Sequence, residues 1–132
     1  MFGINQRVSR SFGTPRGGAN TIREIWWFFF MIFYIYILFS ESSGIYYIGY
    51  TTDVSRRFLQ HNEFSETSFT SKHRPWKLMA AFEVLGNESD AMKIERFIKK
   101  QKSSKFIRKI IDTNTELTGV LAQLVRVPII RD

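Results

Sequence analysis

The chain has 132 residues, 44% hydrophobic and 16% aromatic, with a formal net charge of +7 and no cysteine. That length supports one core of modest size. The aromatic load, thirteen Phe among it, argues against disorder, and without cysteine neither a disulfide framework nor a thiolate metal site can form.

The basic balance, with a pI near 9.9, points to polyanions, nucleic acid ahead of an anionic membrane surface. Residues 1–24 carry Gly-Thr-Pro-Arg-Gly-Gly and scattered arginines with few apolar anchors, which predicts a poorly ordered arm. An unbroken apolar run from Ile25 to Phe39 follows Arg7, Arg10, Arg16 and Arg23, the outline of a signal peptide or anchor. The run is shorter than the roughly 18–20 residues a spanning helix needs, and no small-x-small cleavage site follows it. A soluble, cytoplasmic protein without stable membrane association is expected, with membrane anchoring by residues 25–39 as an alternative. Met31 offers a second translation start, which would make residues 1–30 an upstream extension.

Two strands are predicted at about 32–39 and 45–51, joined by the polar turn Ser40-Glu41-Ser42-Ser43-Gly44. A hairpin turning about Glu41-Ser42 would set Tyr36 directly opposite Tyr47 on one sheet face. Thr51-Thr52-Asp53 supplies N-cap candidates for a helix from Val54 to Asn62. A polar loop from Glu63 to Pro75 precedes a strand over Lys77–Leu85. Asn87, Ser89 or Asp90 then caps a helix running to Gln101, and a basic helix follows over Ser103–Asp112. Thr113–Asp132 reads as a weakly patterned tail. The fold class is therefore a small α/β (α+β) domain over residues 31–112, a three-stranded antiparallel sheet flanked by helices in the order β-β-α-β-α-α.

Several residues stand out for their chemistry. At 100° per residue, Glu95 falls inside the apolar arc of Met92, Ala91, Ile98, Ile94 and Phe97, while Lys93, Arg96 and Lys100 face outward. A carboxylate among buried positions is costly unless paired or metal-bound. It is either half of a structural salt bridge or a ligand for one hard cation, with waters and phosphate oxygens completing the shell. From Lys93 to Lys109 eight basic residues face one acid, a density suited to phosphate contacts, with Lys99 and Lys102 among the candidates. His61 lies one helical turn beyond Arg57 but also in line with Val54 and Phe58, so a site role competes with core packing. Lys72, His73 and Arg74 precede Pro75-Trp76-Lys77; the basic residues suit a nucleic-acid backbone, and Trp76 suits the core. Gly17-Gly18 has no phosphate-loop context, His61 and His73 fit no zinc pattern, and no nucleophile elbow is present.

The hexapeptide Gly44-Ile45-Tyr46-Tyr47-Ile48-Gly49, with Arg57 ten residues after Tyr47, resembles the signature of the GIY-YIG nucleases. In that family the two triplets lie on separate strands. Tyr34-Ile35-Tyr36 therefore takes the first place, with Tyr34 where the family has Gly, and Tyr47-Ile48-Gly49 takes the second. The resemblance covers about residues 31–112 and extends to small single-domain members and the N-terminal nuclease domain of the excision-repair nuclease.

It implies a divalent-metal-dependent endonuclease acting on nucleic acid, DNA ahead of RNA, in a repair, recombination or mobile-element setting. Arg57 would hold the scissile phosphate, since a guanidinium stays charged and matches two phosphoryl oxygens. Arg56 would touch the backbone. Tyr47 would accept the proton of the attacking water, Tyr36 and His61 would arrange it, and Glu95 would hold Mg²⁺ or Mn²⁺. Gly49 would allow close approach of substrate. Tyr50 stands where a large branch of the family has Lys, which keeps open a catalytically weak or inactive nucleic-acid-binding module of the same fold.

Overall fold

A computed structural model describes residues 31–64 and 69–129, with the Phe64 side chain left aside. The arm expected over 1–24 and the first part of the apolar run lie outside these residues. Strands β1 (Phe33–Ser40), β2 (Ile45–Thr51), β3 (Trp76–Val84) and β4 (Leu124–Arg126) form one antiparallel sheet in the order β2-β1-β3-β4. Helices α1 (Val54–Leu59), α2 (Glu88–Gln101) and α3 (Ser104–Ile111) flank it. The α+β class and the antiparallel sheet are as expected, but the sheet has four strands rather than three. β4 is only three residues long and draws its stability from non-local contacts. Arg126 donates to the carbonyls of Ile110 at 2.6 Å and Thr115 at 2.7 Å, and its guanidinium lies over the Phe82 ring.

Strand periodicity sorts side chains onto two faces. Phe33, Ile35, Ile37, Ile48, Phe82 and Val84 point one way and are sealed by Ala91, Ile94 and Ile98 of α2, Ile110 of α3, and Leu121. Tyr36, Leu38 and Trp76 point the other way, packed by Tyr47, Val54 and Phe58. The β1–β3 register shifts between Ile37 and Leu38, pairing Ile37 with Ala80 but Leu38 with Leu78. The extra residue, Met79, reverses the alternation along β3, so Trp76 and Leu78 serve the α1 face while Ala80 and Phe82 serve the α2 face.

The hairpin register differs from expectation by two residues. Tyr36 pairs with Gly49, and Tyr47 with Leu38. The turn centres one position later than Glu41-Ser42, closed by the Gly44 amide on the Ser40 carbonyl at 2.7 Å. Gly44 at φ +69° supplies the left-handed conformation that ends the turn. A two-residue slip preserves side-chain parity, so both tyrosines stay on one face, diagonally related.

Asp53 is the N-cap of α1, accepting the Arg56 amide at 3.1 Å. The helix does not continue as α to Asn62; it widens into a π-helical turn over Gln60–Phe64. Asn87 caps α2 in a reciprocal capping box with Asp90, which satisfies backbone donors at both positions. Ser103 caps α3. Among the described residues no helix is long and apolar enough to cross a membrane.

Candidate active site

The α1 face of the sheet holds a polar cluster inside an aromatic box. Arg57 is only 5% exposed, so it is not the solvated surface arginine that most are. Arg56 beside it is exposed, because helical rotation turns neighbours apart by 100°. The Arg57 Nη1 donates to Gln60 Oε1 at 3.0 Å, and the guanidinium also hydrogen-bonds Tyr36. Tyr36, 1% exposed, lies 2.8 Å from His61 Nε2 through its hydroxyl. A guanidinium only donates. The phenol oxygen therefore accepts from Arg57, while the tautomer of His61 sets whether Nε2 accepts the phenol proton or donates to the phenol oxygen.

Burial sets the charges in this cluster. Desolvation lowers the His61 pKa to about 3, with Arg57 and then Arg74 adding repulsion, so the ring is neutral at physiological pH. Desolvation also raises Tyr36 above the ordinary phenol value, against the opposing effect of Arg57. Tyr47 is pushed up further, by burial first and then by Tyr36, with Arg57 opposing and Glu95 adding to the rise. Both phenols are thus protonated at neutral pH, and Arg57 carries the cluster's positive charge.

Tyr47 completes the box. Its ring meets His61 edge-on at 4.8 Å, Tyr36 at 6.3 Å and Trp76 at 6.0 Å. Trp76 is buried, as its sequence context suggests, and its indole donates to the Thr70 carbonyl at 2.8 Å. Gly49 lies under Tyr36: a Cβ there would collide with the phenol hydroxyl and ring. Glycine at this position therefore serves the close packing of Tyr36 across the strand pair.

Glu95 is partly buried and salt-bridged, one of the two roles its position on the helix allows. The buried stripe of α2 is narrower than the predicted arc, limited to Ala91, Ile94 and Ile98, and Met92 is 39% exposed. The Glu95 side chain keeps 20% of its exposure and pairs with Lys99 at 3.3 Å. The reason lies in the topology. α2 packs over β1 and β2, and β2 is the sheet edge, so no further strand lies under the flank of the helix beyond β2. From that flank Lys99 reaches to 5.7 Å from the Tyr47 ring centroid, and the Glu95 charge is felt by both Tyr36 and Tyr47.

A cleft of about 300 Å³ opens beside Tyr47, lined also by Lys99, Lys102, Ser103 and Ser104. A larger one of about 1060 Å³, between α1, β3 and residues 127–129, is lined by none of Tyr36, Tyr47, Arg57, His61 and Glu95. Among the described residues no group of three or more His, Asp or Glu could hold a metal together. The donor set fits a cation taken by one carboxylate with waters and substrate oxygens, the mode open to Mg²⁺, and not a preformed protein cage.

The remaining predicted residues divide. Arg56, Lys72, Lys99 and Lys102 are exposed. Arg74, expected on the substrate backbone, is turned inward: Nε donates to the His61 carbonyl at 2.6 Å and Nη2 to that of Gln60 at 3.4 Å. Tyr50 points to the α2 face and donates to Glu88 at 3.0 Å, away from the tyrosine pair. Sequence reasoning missed Gln60 and Asn62. Their signal was spacing, since Gln60 follows Arg57 at i+3 and shares its helix face. Asn62 grips the Trp76 backbone reciprocally, at 2.7 Å to its amide and 3.1 Å to its carbonyl.

Comparison with known proteins places residues 32–109 in the GIY-YIG catalytic domain. A UPF0213 protein of Streptococcus pneumoniae is 38% identical over 69 residues, covering 52% of this chain and 68% of the relative. One from Listeria welshimeri is 39% identical over 67 residues, 51% of this chain and 72% of the relative. The structure-specific endonuclease subunit SLX1 homolog 1 of Trypanosoma cruzi is 39% identical over 67 residues, 46% of this chain but only 13% of that protein.

Proposed function

The chain belongs to the GIY-YIG family, and from that premise we propose that it is a divalent-metal-dependent endonuclease hydrolysing nucleic-acid phosphodiesters, DNA in preference to RNA. The family match and the SLX1 relative support nuclease-type chemistry. The observation that carries the reading is the convergence of Arg57, Tyr36, His61 and Tyr47 on one sheet face, with the Glu95 charge acting on both phenols. Repair, recombination or mobile-element processing is the setting we infer for it.

In this mechanism Arg57 stabilises the charge that develops on the scissile phosphoryl group. Its fixed donors make that stabilisation preorganised. Tyr36 and neutral His61 hold the polar face of the cluster in one protonation state. Tyr47 lines the open cleft and orients the attacking water; to take that water's proton it would act as the phenolate, its own proton having first passed to solvent. A divalent cation at Glu95 would supply Lewis acidity and offset the Glu95 field, the smallest influence on the Tyr47 pKa after burial, Tyr36 and Arg57. Lys99, Lys102, Arg56 and Lys72 contact flanking phosphates, so binding weakens with salt. Residues 31–112 carry the chemistry, and β4 closes the sheet beyond them.

The test is nicking of supercoiled plasmid in Mg²⁺ or Mn²⁺ against chelator, extended to branched DNA and to RNA. Glu95→Ala is expected to abolish cleavage while leaving folding and weak binding intact; wild-type cleavage by this variant overturns the mechanism. A second reading, a binding module without turnover, is favoured by one observation, the Lys99 ammonium already on the Glu95 carboxylate. Binding without metal-stimulated nicking in the wild-type protein would select it.

A further inference from the structure

The π-helical turn that carries His61 is held from outside at three successive residues. Arg74 takes the carbonyls of Gln60 and His61, and the Asn62 side chain is clamped to the Trp76 backbone. A π-turn disturbs the regular i→i+4 ladder, so its carbonyls need other donors. Arg74 supplies them from the segment leading into β3. That segment is itself tied to the β1–β2 turn through Ser42 on the Arg74 carbonyl and Ser43 on His73.

Gln60 sits where the two arginines meet. Its backbone carbonyl accepts from Arg74 and its side-chain Oε1 accepts from Arg57 Nη1. The chemistry of that acceptor matters. A carboxylate in its place would form an ion pair and quench the charge that a phosphoryl group needs. A glutamine amide orients the guanidinium with one hydrogen bond and leaves its full charge.

We propose that Gln60 is a positioning residue for Arg57, a neutral acceptor that aims the guanidinium, and that Arg74 fixes the turn delivering Gln60 instead of gripping substrate. The proposal rests on the nuclease reading, but its geometry can be tested without turnover. Gln60 never touches substrate; it acts through Arg57.

The experiment uses the full chain as wild type, Gln60→Ala and Gln60→Glu. The side-chain Nε–H resonance of Arg57 is followed by ¹H–¹⁵N NMR and assigned by its absence in Arg57→Lys. Plasmid nicking is measured in parallel as kcat and KM. In Gln60→Ala the Arg57 resonance should shift and broaden while the backbone amides of the sheet stay in place. Its kcat should fall by about 10²-fold with KM little changed, the cost of a misaimed catalytic group. In Gln60→Glu the resonance should stay sharp, because an acceptor remains, yet cleavage should fall because the charge is quenched.

An unmoved Arg57 resonance or a wild-type kcat in Gln60→Ala overturns the proposal. So does wild-type cleavage by Gln60→Glu, or a Gln60→Ala loss that tracks global unfolding in the amide spectrum. If the wild-type protein does not nick at all, the nuclease reading fails, and the Arg57 resonance still decides the positioning claim.

Discussion

The two faces of one sheet do different work with the same strands. The α2 face is dry and apolar: Ile35, Ile37 and Phe82 are fully buried beneath Ala91, Ile94 and Ile98. The α1 face uses alternate residues of the same strands to bury Tyr36 against Arg57 and His61. Apolar burial stabilises at about 25 cal/mol per Å², whereas a buried cation and phenol cost free energy unless each finds partners. The dry face thus supports a cluster that would not be stable alone.

The contrast is sharpest in acid. Folding lowers the His61 pKa from 6.5 to about 3, so between those values the unfolded chain takes up a proton that the folded chain refuses. The contribution is complete above about pH 6.5 and drains as the pH falls toward 3, by roughly 4–5 kcal/mol at most. Denaturant midpoints against pH should show this loss in the wild-type protein and not in His61→Phe. An equal acid loss in both would place the sensitivity elsewhere.

Phe82→Ala attacks the dry face and should cost about 3–5 kcal/mol, read as a lower chemical midpoint with binding lost at the same denaturant concentration. Gly49→Ala attacks the polar face by driving a methyl into Tyr36, at about 1–3 kcal/mol. Adding Tyr36→Phe removes the hydroxyl contact, so the double variant should recover part of that loss. Strict additivity would show that the methyl is accommodated without Tyr36. Lys99→Ala, at the solvent-exposed flank of α2, should change stability by no more than about 1 kcal/mol.

Much of this was legible from residues. The spacing from Tyr47 to Arg57 and the two sets of N-cap candidates are local signals, and the structure takes Asp53 from the first set and Asn87 from the second. The hairpin register was not legible, because every residue from Ser40 to Gly44 suits a turn and parity is the same for either pairing. The narrower buried stripe of α2 was hidden for another reason. Helical periodicity shows which residues share a side, but not that the strand beneath is the sheet edge. The fourth strand and the π-turn depend on Arg126 and Arg74, partners distant in sequence, which no local pattern announces.

The central claim is that the buried guanidinium of Arg57 serves phosphodiester cleavage. The most direct measurement is the rate at which wild-type protein and Arg57→Ala nick supercoiled plasmid in Mg²⁺, with melting curves and chelator-phase DNA binding for both. The account predicts metal-dependent nicking that falls by about 10²–10³-fold or more in the variant, with folding and binding largely retained. Equal nicking by the two proteins, or a wild-type protein that binds DNA and leaves it uncut, would contradict it.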